Sequence, residues 1–210
     1  VINQAANLSD IIKLVGKIRQ FASSPFFGFA VYADQKDSNN NLPALYQSGL
    51  GMGDRDYYLK DDSTSLALRE GYRQLIKTQF NLVNGASDAE TSQIADAIIN
   101  IETELAKAHF SREDLRNPEK NYNKILVSEL DTKVATFDWT AFFNIAANGK
   151  KFESVDVGQI EAVKKAVQLI QTLPIAEVKQ YLSWCVINSA ASYLSDDIAN
   201  ANFDFYGKQM

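Results

Sequence analysis

Few side chains in this sequence can do chemistry, and their types restrict what chemistry is possible. His109 is the only histidine and Cys185 the only cysteine. Hydrolytic triads and most zinc sites need histidine, and neither an H-E-x-x-H helix nor a His/Cys cluster can be assembled from one of each. His109-Phe110-Ser111-Arg112-Glu113 does place a carboxylate four residues after the imidazole. A lone histidine at a helix end nevertheless reads as a capping or surface residue. Cys185, within Tyr181-Leu182-Ser183-Trp184-Cys185-Val186, reads as a buried, inert helical position, and a single cysteine excludes an internal disulfide.

The densest stretch is Gln47 to Leu59, Q-S-G-L-G-M-G-D-R-D-Y-Y-L. Gly49, Gly51 and Gly53 allow positive φ or close approach of another chain. Asp54, Arg55 and Asp56 are expected to set a guanidinium between two carboxylates, and Tyr57 and Tyr58 add large apolar bodies with polar tips. The segment is therefore expected to hold one conformation. Phosphate binding is disfavoured, because the P-loop Lys-Ser/Thr ending and the G-x-G-x-x-G spacing are both missing and acids follow the glycines. Asp61-Asp62 and Asp196-Asp197 fall at helix edges, where acids favour the N-terminal dipole, rather than as a glycosidase pair. No stretch has the alternating oxygen ligands of an EF-hand.

The elements that must position these residues are mostly helical. Ser9 or Asp10 is placed to cap a helix carrying Ile11, Leu14, Val15 and Ile18, which should stop near Ser23-Ser24-Pro25. Phe26 to Ala33 and Leu42 to Tyr46 read as a β-hairpin with a polar loop from Asp34 to Asn41. A helix from Ser63 to Asn84 ends at Gly85, and a capping box, Ser87-Asp88-Ala89-Glu90, opens another that runs to about His109. Ser128 to Asp131 could open a short helix, and Asp138 caps one through Trp139, Phe142, Phe143 and Ile145 to Gly149. Phe152, Val155 and Val157 hint at an extended piece. Gln159 to Thr172 is helical, and Pro174 suits the first turn of a last long helix through Cys185 to Tyr193. The sum is a mainly α, multi-helical domain with one β-hairpin. Trp139 and Trp184 are expected in its core.

With 210 residues, 46% hydrophobic and 22% charged, and a net charge of −5, the profile is globular and acidic. It lacks the basic footprint of a nucleic-acid binder. Its longest apolar runs fall well short of the ~20 residues a membrane span requires, and no signal peptide is visible. A start at Val1 and an aromatic cluster, Phe203, Phe205 and Tyr206, just before the end give the expectation of a fragment of a longer protein.

Gln47 to Leu59 resembles the Q-G-G-L-G-L-P-D-R-D-Y-Y-L segment of the neprilysin and endothelin-converting-enzyme family of zinc metallopeptidases, in its bacterial oligopeptidase branch. Pro25 to Phe29 with Ala33 to Ser38 resembles the preceding stretch. Glu102-Thr103-Glu104-Leu105-Ala106, then Arg116-Asn117-Pro118 and Tyr122-Asn123, is similar to the family's E-x-x-L-A…R-x-P…Y-N pattern. Phe137-Asp138-Trp139, Tyr181 to Trp184 with Ile187 to Ala191, and Phe203 to Lys208 continue the likeness in order. It covers roughly Ser24 to Lys208. Gly53 departs from it, standing where the family usually has proline.

The resemblance implies that residues 1 to 210 are one helical domain, most of the N-terminal cap of a longer metallopeptidase whose C-terminal catalytic domain is absent here. In that family zinc sits on H-E-x-x-H plus a further glutamate in the catalytic domain, and the cap restricts substrates to short peptides. The parent is then expected to be a zinc metalloendopeptidase. This part would carry no catalytic, cofactor or metal residue and would be inactive alone, with the catalytic domain and peptide substrates as its partners. Gly49, Gly51, Asp54, Arg55, Asp56, Tyr57 and Tyr58 become a structural signature. An extracytoplasmic setting is favoured over a cytoplasmic one. The alternative is a non-catalytic helical interaction module from a relative lacking the protease half.

Overall fold

The computed structural model describes all of residues 1 to 210, in ten α-helices and four strands. Helix α1 (Leu8–Ile18) is capped by Asn7, whose side chain accepts the Asp10 N–H, two or three residues earlier than Ser9 or Asp10 would cap it. It also ends before the Ser23-Ser24-Pro25 stop, the chain turning at Lys17 to Ala22 through 3₁₀-type bonds.

Strands β1 (Phe27–Asp34) and β2 (Asp37–Gln47) form the hairpin, but its turn is shorter than expected, because Asp37 to Asn41 continue the strand. Those polar residues are solvent-exposed, so β2 lacks the apolar alternation that marks a half-buried strand. The sheet is also larger than a hairpin. Strand β4 (Ser154–Val157) pairs parallel with β2 at Ala44 and Leu45, and β3 (Lys124–Leu126) pairs antiparallel with β4, giving the order β1-β2-β4-β3.

Helix α2 (Asp56–Leu59) is a single turn. Helix α3 (Ser63–Asn84) begins at the Asp62 cap and ends at Gly85, which takes φ +66 as a C-terminal glycine should. Helix α4 (Asp88–Ala108) starts with the complete Ser87/Glu90 capping box. Short α5 (Arg112–Leu115) and α6 (Leu130–Lys133) lead to α7 (Trp139–Ala146), capped by Asp138. Then come α8 (Ile160–Thr172) and α9 (Ile175–Ala190), the latter with Pro174 at the cap. Helix α9 stops before Tyr193, and a further helix, α10 (Asp196–Tyr206), follows a 3₁₀ turn.

Forty-four buried residues form one hydrophobic cluster. At one side Phe27 and Phe29 of β1 meet Phe142 and Phe143 of α7, with centroids 5.0 and 5.6 Å apart in the closest pairs. At the other, Trp184 of α9 stands edge-on to Tyr72 of α3. Both tryptophans and Cys185 are buried, as their apolar helix faces require.

Candidate functional site

The Gln47 to Leu59 segment lies across the C-terminal half of α4, and a buried polar network holds it there. At the centre is Glu102 of α4, 1% exposed. Its Oε2 accepts the Tyr58 hydroxyl at 2.5 Å and its Oε1 accepts the Tyr72 hydroxyl at 3.0 Å. Each tyrosine oxygen in turn accepts another donor, the Met52 N–H at 2.9 Å on Tyr58 and the Trp184 indole N–H at 2.6 Å on Tyr72. Filling both acceptors forces both hydroxyl protons toward Glu102, so the donor directions are fixed.

The glycines serve close approach as well as turning. A Cβ at Gly51 would sit 1.8 Å from the Tyr72 hydroxyl, and one at Gly49 (φ +93) would sit 2.5 Å from that of Tyr181. Tyr181 donates to the Gly49 carbonyl at 2.7 Å, and Tyr206 to the Gly51 carbonyl at 3.1 Å. Gly53 has open space around it and is needed for its φ of +76 alone. A proline, fixed near −65°, could not follow this path.

Arg55 does not sit between Asp54 and Asp56, contrary to the expectation from their adjacency. Its Nη1 donates to the His109 carbonyl at 2.6 Å, the cap position of α4. Asp54 instead accepts the Asp56 N–H at 2.8 Å and pairs with Arg112 of α5, while Asp56 pairs with Lys60 at 2.7 Å. Consecutive side chains on a helical turn diverge, so a triplet in sequence need not be a triplet in space. Arg69 of α3 closes the segment by donating to the carbonyls of Tyr57 and Lys60. Gln47 anchors the other end with a two-way bond to the Phe110 backbone.

His109 does hold the capping position but is no surface residue. It is 5% exposed, its Nε2 has no partner, and burial together with the Arg55 charge lowers its pKa to about 4. Burial pushes Glu102 the opposite way, to about 7, even though the Tyr58 and Tyr72 hydroxyls favour its charged form. Burial also raises the Cys185 thiol far above its ordinary range. No group of three or more His, Cys, Asp or Glu side chains is placed to hold a metal ion. The donors in this chain therefore do not fit a tetrahedral zinc site.

The loop is legible in the sequence and its counterparts are not. Tyr72, Tyr181, Trp184 and Tyr206 read as core aromatics, and Glu102 as part of a motif. The available signal was Glu102 itself, a charge four residues after Ile98 and three before Leu105 on the apolar stripe of α4.

A family model described as peptidase family M13, of its N-terminal region, matches residues 2–210. The chain belongs to peptidase family M13. Among curated M13 relatives, human endothelin-converting enzyme 1 is 28% identical over 202 residues, 95% of this chain and 26% of its own length. Neprilysin-11 of Caenorhabditis elegans is 30% identical over 206 residues, 91% of this chain and 24% of its own length. The chain thus spans about a quarter of the length of the curated relatives it matches. Among solved structures, the zinc metalloprotease Zmp1 of Mycobacterium tuberculosis in its open state superposes with a TM-score of 0.91 at 27% identity. That match covers all of this chain and 32% of Zmp1. PepO of Lactobacillus rhamnosis, at 17% identity and a TM-score of 0.74, shares the fold. No helix is long and apolar enough to cross a membrane.

Proposed function

We propose that residues 1 to 210 form one helical unit, most of the N-terminal cap of a zinc metalloendopeptidase that cleaves short peptides. The observation that carries this reading is the likeness of the whole chain to about a third of Zmp1, a zinc metalloprotease by name. In this reading the zinc and the groups that activate water belong to another part of the enzyme, which is also the unit's main partner. The unit itself hydrolyses nothing and limits which peptides reach the zinc. Gly49, Gly51, Asp54, Arg55, Asp56, Tyr57 and Tyr58 act structurally, by fixing the loop to α4.

Supporting the structural role, Tyr58 donates to Glu102, Arg55 Nη1 donates to the α4 cap, and Asp54 pairs with Arg112. A peptide-length series on the full-length enzyme tests the restricting role. Turnover should fall away as unstructured substrates lengthen; equal cleavage of short peptides and long unfolded proteins would contradict it.

A further inference from the structure

A cleft of about 140 Å³ runs between the Ser48 to Gly51 backbone and the last turns of α9, from Ser23 and Ser189 at its mouth to Glu102 at its floor. Glu102 is its only charged lining residue. A carboxylate offers about four acceptor directions, and the Tyr58 and Tyr72 hydroxyls use two. The titratable groups within reach of its charge are Tyr58 from α2, Tyr72 from α3, Tyr181 and Cys185 from α9 and Tyr206 from α10, none of them a cation. A buried carboxylate is ordinarily paired with a cation, and this one has none from its own chain. The C-terminal end of α9, carrying Asn188 and Ser189, adds negative potential at the wall. With one carboxylate the cleft suits a monovalent cation, and Leu50 and Trp184 give it an apolar side along which a methylene stem could lie.

We propose that this cleft receives a lysine side chain, its ammonium seated on a free acceptor site of Glu102 and its stem against Leu50 and Trp184. The site lies outside anything the M13 reading requires.

The test is thermal unfolding of the 210-residue chain at pH 8, titrated with Nα-acetyl-lysine methylamide. Saturable stabilisation is expected, by about 3–6 °C at ten times the Kd. Nα-acetyl-norleucine methylamide, which keeps the stem without the charge, should do nothing. Glu102→Gln should abolish the response. Should that variant fail to fold, Ser189→Phe, which plugs the mouth and leaves the carboxylate in place, should abolish it as well. No shift, or an undiminished shift in either folded variant or with the norleucine probe, overturns the proposal. An equal shift with potassium chloride over matched choline chloride, or with alanyl-glycinamide, also overturns it by assigning the cleft to an inorganic ion or a peptide amino terminus.

Discussion

Tyr58 of α2 donates its hydroxyl to the buried Glu102 of α4 at 2.5 Å while accepting the Met52 N–H at 2.9 Å. One side chain thereby joins the signature loop to the helix beneath it. Tyr58→Phe would orphan both the carboxylate acceptor and the Met52 N–H. At about 1–3 kcal/mol for each of these two buried groups left unsatisfied, the variant should lose about 2–6 kcal/mol, read by urea unfolding. Wild-type stability would contradict the network.

Gly51 and Gly53 should respond differently to alanine. At Gly51 the new methyl meets the Tyr72 hydroxyl 1.8 Å away, and at Gly53 it meets nothing but an unfavourable φ. Gly53→Ala should cost about 1–2 kcal/mol, the price of one left-handed residue, and Gly51→Ala distinctly more. Tyr72→Phe in the Gly51→Ala background should recover part of that excess, making the pair less than additive. Strict additivity in the cycle would show that the two do not meet.

Glu102 and His109 pull the pH dependence of stability in opposite directions. Glu102, raised to about 7 from 4.5, contributes stability that is fully present below pH 4.5 and lost as pH rises through 7. His109, lowered to about 4 from 6.5, contributes stability present above pH 6.5 and lost as pH falls through 4. Between pH 4.5 and 6.5 the two slopes offset each other. Melting temperature should therefore fall on acidification through this window in Glu102→Gln, and fall on alkalinisation in His109→Gln. Two variants with wild-type profiles would refute the assignment.

Arg55→Ala removes the charge-assisted bond to the α4 cap, worth about 1.5–3 kcal/mol. Stability should drop by that order, read by thermal unfolding, with Lys recovering part of it because the contact is a single N–H donated to one carbonyl. An unchanged melting temperature together with impaired cleavage in the full-length enzyme would move Arg55 from structure to substrate.

The legible parts of this fold are those whose signals are local. The Ser87/Glu90 box and Gly85 mark α4 and α3 within a residue or two, because caps act over a single turn. Helix α10 escaped because only Ile198 and Phe205 of its length are buried, leaving no apolar stripe, although Ser195-Asp196-Asp197 is a serviceable start. Strand β3 escaped because three residues carry no periodicity. The Glu102 network draws on α2, α3, α4, α9 and α10, so its pairings exist only in the folded chain. Arg55 was misplaced for the converse reason, since adjacency in sequence suggested contacts that the α2 turn directs apart.

We propose that these residues serve a zinc peptidase without containing its zinc site. Zinc content by atomic emission, measured alongside short-peptide hydrolysis on the purified 210-residue chain, tests it most directly. A folded protein with no stoichiometric zinc and no turnover is expected; one zinc per chain with cleavage of short peptides would overturn the proposal.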